Sequence, residues 1–196
     1  MNPTNHLAKL YDIAEGQAGY FTTAQAVAAG VDRRRLAYFA GAGRLQRIRH
    51  GVYRLAQFPH SRHEDLVIAW LATGPDCVIS HESALLLYEL SDVLPELIHV
   101  TVPPTTSRRH PGLRLHTNQF GPEDVTQHEG LPVTTVPRTI ADVALGGLSD
   151  EFVMQAAREA VRAGLATPDQ LLAEAARRSA RLVQVLRRAL AEVNQP

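Results

Sequence analysis

The chain has 196 residues, of which 45% are hydrophobic and 20% are charged, and this composition excludes a disordered polypeptide. Its apolar runs, such as residues 66–72, are far shorter than the roughly 20 residues of a transmembrane helix, and its N-terminus lacks the pattern of a signal peptide, so we expect a cytoplasmic protein. The formal net charge is zero, which conceals an uneven distribution.

The positive charge is concentrated near the start of the chain. Residues 1–62 carry nine Lys and Arg side chains against three acids, a charge of +6, and the remainder carries 11 against 17, a charge of −6. Seven arginines lie within residues 31–55, where Asp32 is the one acid. A basic segment of this kind attracts polyanions such as nucleic acid, although a solvated charged face has the same composition.

The first elements predict a helix-turn-helix. Residues 6–15 place apolar side chains at helical spacing. Thr22 is the predicted N-cap of a short second helix that stops at Gly30, and Asp32 is the predicted N-cap of a third helix over 33–40. Two short helices joined by a tight glycine turn are typical of this motif, whose second helix enters the major groove of DNA.

The third helix divides into an inner and an outer face. Its spacing directs Leu36 and Phe39 toward the core. The outer face carries the side chains that we expect to contact DNA, with Arg35 at its flank: Arg33, Arg34 and Tyr38. Arginine near the N-terminus of a groove-bound helix reads guanine through paired hydrogen bonds to O6 and N7.

Residues 44–55 are predicted to form a β-hairpin, here called the wing, with His50 and Gly51 as its loop. Because side chains alternate across a strand, this loop distributes the wing side chains between two faces. The faces would carry Arg47, Arg49 and Arg54 on one side, with Arg47 opposite Arg54, and Ile48, Tyr53 and Leu55 on the other. Like charges paired across strands destabilise a hairpin unless a polyanion neutralises them, so these arginines are expected to meet phosphates.

The remaining sequence predicts short strands followed by helices. Strands are expected at CVIS, LIHVTVP and LRLHTNQF, and a further hairpin turns near Glu129 and Gly130. A helix opened by Ser61 precedes the strands, and helices dominate after Pro137. The single cysteine, Cys77, lies in the apolar CVIS sequence and is expected in the core.

The predicted fold class is α+β. It consists of an N-terminal winged helix-turn-helix followed by a mixed α+β domain with a small antiparallel sheet and a helical C-terminus. The change in charge balance places the first domain at 1–58 and the second at 59–196. The pair Arg138 and Asp142 has the i,i+4 spacing of a helix-supporting ion pair.

The sequence contains no recognisable catalytic or metal-binding constellation. His81 begins a sequence like that of a zinc-protease helix, but Leu85 stands where the second histidine would be needed. His60 and His63 lack a third ligand at suitable spacing. A restriction-type nuclease combines spaced carboxylates with a nearby lysine, whereas Lys9 is the one lysine of the chain. We therefore expect no enzyme activity, no cofactor and no metal.

Three stretches resemble a known family. They are FTTAQAVAAGVDRRRLAYFAGAGRLQRIRHGVYRL, ISHESALLLYEL and LPVTTVPRTIADVA. In their order and content they resemble the AbiEi-type antitoxins of type IV toxin–antitoxin systems, which act in phage defence and growth control. The resemblance extends to about residue 180.

The resemblance implies a regulator rather than an enzyme. It implies that the first domain binds promoter DNA and represses the protein's own operon, and that the second domain is an antitoxin or effector domain that counteracts a nucleotidyltransferase-like toxin. By motif position, it assigns DNA contacts to Arg33, Arg34 and Tyr38 on the helix and to Arg47, Arg49 and Arg54 on the wing. It assigns no toxin-neutralising residues.

Two alternatives to this interpretation stay open. A winged helix can dock onto a protein, in which case the acidic second domain would hold a basic partner without DNA. A hidden nuclease would cleave DNA in the presence of Mg²⁺ or Mn²⁺. If the protein is a repressor, a single winged helix buries modest surface, so we expect repeated promoter half-sites and self-association on DNA.

Overall fold

The computed structural model describes residues 3–104 and 111–193, which form two compact units, Met1–Pro75 and Asp76–Pro196. The first unit contains a helix-turn-helix and a three-stranded sheet. Its elements are α1 (Pro3–Glu15), β1 (Tyr20–Thr22), α2 (Thr23–Ala28), α3 (Arg33–Gly41), β2 (Leu45–Arg49), β3 (Val52–Leu55) and α4 (Glu64–Thr73).

Both predicted N-caps of the helix-turn-helix form. The Thr22 hydroxyl accepts a hydrogen bond from the Gln25 backbone N–H at 3.1 Å, and the Gln25 side chain accepts one from the Thr22 N–H at 2.8 Å. Asp32 accepts from the Arg35 N–H at 2.8 Å. Each such cap stabilises its helix by about 1 kcal/mol. Between the helices, Gly30 has a φ of +82°, which an L side chain rarely adopts.

A small apolar core joins the helices of the first unit to its sheet. Between α2 and α3 it includes Ala26, Val31 and Leu36, each fully buried as the sequence predicts. Other buried members come from α1, α3 and all three strands: Leu10, Ala14, Phe21, Phe39, Leu45 and Leu55. Complete burial of one large side chain contributes about 1.5–3 kcal/mol, so this cluster fixes the angle at which α3 is presented.

The sheet of the first unit has the strand order β1–β3–β2, and both pairings are antiparallel. The sequence did not predict β1, because its three residues are too few to display an alternating pattern beside the strong cap signal at Thr22. The wing is therefore the outer part of a sheet rather than an isolated hairpin.

The register of the wing differs from the predicted one. Arg49 lies opposite Val52, as expected, but Arg47 lies opposite Tyr53 instead of Arg54. The shift occurs between Arg47 and Arg49, where Ile48 is an extra residue that forms a β-bulge. Since residues opposite each other share a face and successive residues alternate, the bulge places Arg47 and Arg49 on opposite faces of the wing.

Helix α4 packs against β1 and β3. It covers the face of the sheet that carries Tyr20 and Arg54, which are opposite each other and both 2% exposed. The helix begins at Glu64 and not at Ser61. Since α4 belongs to the first unit, the units divide after Pro75, later in the chain than the change of charge balance that suggested residue 58.

The second unit is built on a five-stranded sheet. Its strands are β4 (Val78–Ile79), β5 (Ile98–Thr101), β6 (Leu113–His116), β7 (Val125–His128) and β8 (Leu131–Thr134), in the spatial order β6–β5–β4–β8–β7. Strands β7 and β8 form the predicted hairpin, in which Glu129 and Gly130 both have positive φ. The α+β class is confirmed.

The sheet of the second unit is mixed, whereas the sequence predicted an antiparallel one. Pairs β4–β5 and β7–β8 are antiparallel, but β5–β6 and β4–β8 are parallel. Strands β5 and β6 are separated in sequence by residues 102–112. An alternating pattern reveals a strand but contains no information about its direction.

Helices complete the second unit. They are α5 (His81–Leu87), α6 (Val136–Leu145), α7 (Asp150–Arg162), α8 (Pro168–Arg178) and α9 (Ala180–Val193), with a 3₁₀ turn at Pro122–Asp124. Helix α5 packs against β5, β8 and α6, while α7 and α8 both pack against α6 and α9. Within the described ranges, no helix has both the length and the hydropathy needed to cross a membrane.

The ion pair of Arg138 and Asp142 is buried. Arg138 is 1% exposed, and its Nε lies 2.8 Å from both carboxylate oxygens of Asp142. Its Nη1 donates to Asp124 at 2.9 Å. Arg138, which was predicted to support α6 through its ion pair with Asp142, therefore also connects α6 to the 3₁₀ turn that precedes β7.

Three histidines form a polar cluster inside the second unit. The rings of His81 and His116 stack with their centroids 3.5 Å apart, and the ring of His99 lies 5.1 Å from that of His116. The Thr101 hydroxyl donates to Ser80 Oγ at 2.8 Å, and His81 Nδ1 lies 3.0 Å from the same oxygen. Burial, and then the neighbouring positive charges, lower the pKa of His81 to about 3 and the pKa values of His99 and His116 to about 4.

We predict that the second unit loses stability as the pH falls from 6.5 to about 4. The folded state holds the three rings neutral, whereas the unfolded chain protonates them near the ordinary histidine pKa of 6.5. The unfolded state therefore binds more protons than the folded state in this window, and the free energy of unfolding decreases as the pH falls. Thermal unfolding between about pH 7 and pH 4 measures the loss.

His116→Gln should weaken this pH dependence, because it removes one proton-binding ring from the cluster. His50→Gln is the control, since His50 is exposed in the wing loop of the other unit, and it should leave the dependence unchanged. An H116Q protein that loses stability with pH as steeply as the parent would contradict the prediction.

Candidate nucleic-acid interface

Helix α3 presents a cationic face to solvent. Arg33, Arg34 and Tyr38 are exposed, with Tyr38 67% exposed, while Leu36 and Phe39 point into the core. The structure thus places the predicted outer residues of the helix together on one surface. The N-cap at Asp32 fixes where the helix starts and hence which turn carries the two arginines.

Arg35 lies at the flank of this surface and is half-buried. Its Nη1 atom is inaccessible to solvent and has no hydrogen-bond partner among the residues that the structure describes. Burial, and then the positive charge of Arg35, lower the pKa of His6 in α1. Arg35 therefore lies against α1 as much as it borders the exposed face.

The wing supplies two further cations. Arg47 is exposed and Arg49 is half-buried, and the bulged Ile48 between them is 38% exposed. The loop of the wing is held in place, because the Gly51 carbonyl accepts a hydrogen bond from the Thr23 N–H at 2.8 Å at the start of α2. The wing and the helix-turn-helix are thus joined at the loop of the hairpin.

Arg54 does not reach this surface. Its guanidinium is buried under α4, where Nη2 donates to the Phe58 carbonyl at 2.6 Å and lies 3.8 Å from Glu64 Oε1. It also lies 5.8 Å from the ring centroid of Tyr20. The expectation that Arg54 joins Arg47 and Arg49 is therefore corrected, because the bulge shifts the register and α4 covers the face that Arg54 occupies.

Arg44 is an exposed arginine that the sequence patterns did not assign to the DNA-binding surface. Arg44 lies between α3 and β2, and its side chain is exposed. Its position just before an edge strand, within the same basic stretch, was the signal that could have identified it. In the described part of the chain no salt bridge neutralises any of the solvent-accessible arginines of this stretch: Arg33, Arg34, Arg44, Arg47 and Arg49.

The exposed helix α3 and the two-stranded wing together have the arrangement of a winged helix-turn-helix. Residues 8–56 match the family model described as "Transcriptional regulator, AbiEi antitoxin". Over this segment the chain is similar to the AbiEi antitoxin transcriptional regulators. The resemblance inferred from the sequence is confirmed over those residues, and the match ends before the second unit of the chain.

A solved structure shares the fold of this chain. It is the crystal structure of the RV2827C protein from Mycobacterium tuberculosis, with a TM-score of 0.56 and 13% sequence identity. The similarity covers 98% of this chain and 78% of that one. At this identity the likeness concerns the fold alone. No curated protein sequence matches the chain.

Three histidines of the described residues, His60, His81 and His116, contact protein neighbours. His60 Nδ1 lies 2.7 Å from Glu64 Oε1, which fixes that ring beside α4. The stacked rings of His81 and His116 have nearly parallel planes, 11° apart, so their in-plane lone pairs do not converge on one point. Across residues 3–104 and 111–193, no three His, Cys, Asp or Glu side chains are placed to hold a metal ion.

The second unit contains a cleft of about 570 Å³. Its wall includes Asp124 and Glu174, two buried carboxylates, and the aromatic ring of Tyr88. Arg177 lies over the carboxylates, paired with Glu174 and 3.8 Å from Asp124, and Arg178 Nε donates to Glu174 at 2.8 Å. The two buried carboxylates are thus neutralised by arginines of the same chain.

We predict that Arg54 acts on stability and not by contacting DNA. Arg54→Ala removes the donor to the Phe58 carbonyl and the buried cation beside Glu64, which should lower the free energy of unfolding by about 3 kcal/mol. Arg47→Ala removes an exposed side chain and should change stability by no more than about 0.5 kcal/mol. Urea unfolding of both variants and the parent measures the difference. Equal stability of R54A and R47A would contradict this assignment.

Proposed function

We propose that the chain is a DNA-binding repressor of its own gene and the antitoxin of a toxin–antitoxin pair. The single observation that carries the proposal is the set of unneutralised arginines that α3 and the wing present on one unit of AbiEi type. Positive charges that no acid balances favour a polyanion as partner. The antitoxin role is proposed from the family match of the first unit.

In the proposed complex, α3 occupies the major groove. Arg33 and Arg34 in its first turn then face the edges of base pairs, where arginine forms paired hydrogen bonds with guanine. Tyr38, one turn further on, contacts the sugar–phosphate backbone or a thymine methyl group, and Arg35 adds charge at the flank. Arg47 and Arg49 on the wing meet phosphates, which position the protein without specifying sequence.

One unit of this size gives a modest interface on DNA. A single winged module buries roughly 600–1,000 Å² of protein surface, whereas specific operators usually engage two. We therefore propose binding to repeated half-sites in the promoter, with self-association of the chain on DNA. Repression follows because the bound copies occupy the promoter.

The second unit is proposed to counteract a nucleotidyltransferase-like toxin. The role is regulatory and not enzymatic in this proposal. The lone lysine supports that reading, because Lys9 Nζ donates to the Ala29 carbonyl within the first unit and so serves the packing of α1 on the helix-turn-helix. The buried carboxylates Asp124, Asp142 and Glu174 are each paired with arginine.

The decisive experiment is a gel shift of the DNA upstream of the chain's own gene, with and without random competitor DNA. A specific shift that survives competitor supports the repressor, and a reporter driven by the same promoter should fall when the chain is expressed. The rival function, a docking module for a basic protein, predicts no shift at all. Incubation of plasmid DNA with Mg²⁺ or Mn²⁺ tests the nuclease alternative, for which cleavage is required.

We predict that Arg47→Ala and Arg49→Ala weaken binding to all sequences alike. Each lost phosphate contact should reduce the slope of log K against log salt concentration by about 0.9. Fluorescence anisotropy at several salt concentrations measures the slope. Arg187→Ala is the control, because Arg187 is an exposed arginine of the second unit and should leave the slope unchanged. Wing variants with the parental slope would place the wing away from DNA.

We predict that Arg34→Ala changes sequence choice rather than general affinity for DNA. Loss of a paired contact to guanine should cost about 1–3 kcal/mol on the operator and almost nothing on random DNA. Competition binding with promoter duplexes altered at one base pair each measures the preference. We expect one base pair whose alteration weakens binding of the parent protein but leaves binding of R34A unchanged. Undiminished discrimination at every position would exclude Arg34 as a reader of sequence.

A further inference from the structure

We propose that Ile48 is an apolar wedge that enters the minor groove, separates two stacked base pairs and bends the operator. This inference rests on the proposed DNA-binding function and adds to it a residue that selects sequence through the deformability of DNA. It follows from the β-bulge of the wing.

Because of the bulge, the apolar side chain of Ile48 is exposed to solvent, at a surface position where a regular strand would have a polar residue. A regular hairpin would have put Ile48 opposite Tyr53, on the inner face of the sheet. The bulge makes Ile48 the unpaired residue of β2, and it is 38% exposed, although isoleucine favours the interior. The exposed side chain therefore stands at a position that the backbone irregularity creates.

The neighbours of Ile48 are arranged to contact both walls of a groove. Arg47 shares a face with Tyr53, and Arg49 shares the opposite face with Val52. A hairpin edge inserted into the minor groove would thus direct one guanidinium toward the phosphates of each strand, with the isoleucine between them. Arginine is favoured in narrow minor grooves, where the negative potential is enhanced.

The wing is rigid enough to transmit force to DNA. Its loop is held by the hydrogen bond from Thr23 to Gly51, and Arg54 fastens the opposite end to the Phe58 carbonyl. The stacked rings of Phe21 and Tyr53, 6.0 Å apart, support its inner face. A mobile wing would retract when it met a base stack, whereas an anchored one retains its position.

The physical cost and gain of such a wedge are known in general terms. Unstacking one base step costs a few kcal/mol, and proteins with apolar wedges recover it through the additional surface that bent DNA contacts. Pyrimidine–purine steps such as TA unstack most readily. Ile48 would accordingly select a flexible step in the operator without a hydrogen bond to any base.

The bulge and its arginines have a competing explanation, which is protection of an open sheet edge. Strand β2 is at the edge of its sheet, and bulges and charges on such strands prevent pairing with other chains. That explanation requires nothing of the isoleucine side chain. The two accounts therefore differ in what happens to DNA when the side chain is shortened.

The test compares the bend that each protein produces in the same duplex. The duplex is the footprinted region upstream of the chain's own gene, with a fluorophore at each end, and energy transfer reports the end-to-end distance. We expect the parent to shorten this distance and Ile48→Ala to restore most of the length of free DNA. Affinity should fall by about tenfold, with the salt slope unchanged because no charge is lost. Ile48→Met should retain the bend, since methionine also serves as a wedge.

Leu94→Ala is the matched control, because Leu94 is an apolar side chain of the second unit that is 80% exposed. It should bend DNA as the parent does. If the parent binds its promoter without bending it, or if I48A bends it equally, the inference is wrong and the repressor function stands. If the parent binds no promoter DNA, the proposed function and the inference both fail.

Discussion

The burial of the Arg54 guanidinium between the sheet and α4 determines the arrangement of the first unit. A buried cation without partners is strongly destabilising, so the chain must bring an acceptor and a carboxylate to it. The Phe58 carbonyl, in the segment that leads into α4, and Glu64, the first residue of α4, meet that requirement. The contact therefore closes α4 onto one side of the sheet and leaves the helix-turn-helix on the other.

With Arg54 directed inward, the remaining arginines of the basic stretch can face outward. Those of α3 are held in place by the cap at Asp32 and the core around Leu36, and those of the wing by the hairpin and its bulge. Among the described residues, the contacts that position these arginines do not use their guanidinium groups. Within 25 residues of sequence, Arg54 thus forms the buried contacts that stabilise the fold, and other arginines provide the exposed positive charge.

Most of the first unit was predictable from sequence because its signals are local. Thr22, Gly30 and Asp32 mark helix boundaries through contacts within three residues, and the apolar spacing around Leu36 sets the inner face of α3. Arg54 was placed outside because alternation assigns a face but does not say which element covers it. The bulge at Ile48 and the parallel pairing of β4 with β8 depend on contacts distant in sequence, so residue type alone gave no indication of them.

The left-handed backbone conformation of His81 has a consequence for which substitutions the second unit would tolerate. With a φ of +52°, this residue adopts a conformation that glycine or asparagine would occupy at lower energy. Its stacking on His116 and its contact with Ser80 compensate for that strain. Substitution of His116 by a small residue would remove the stacking and leave only the Ser80 contact to offset the strain, so the conformation of residue 81 depends in part on the side chain at position 116.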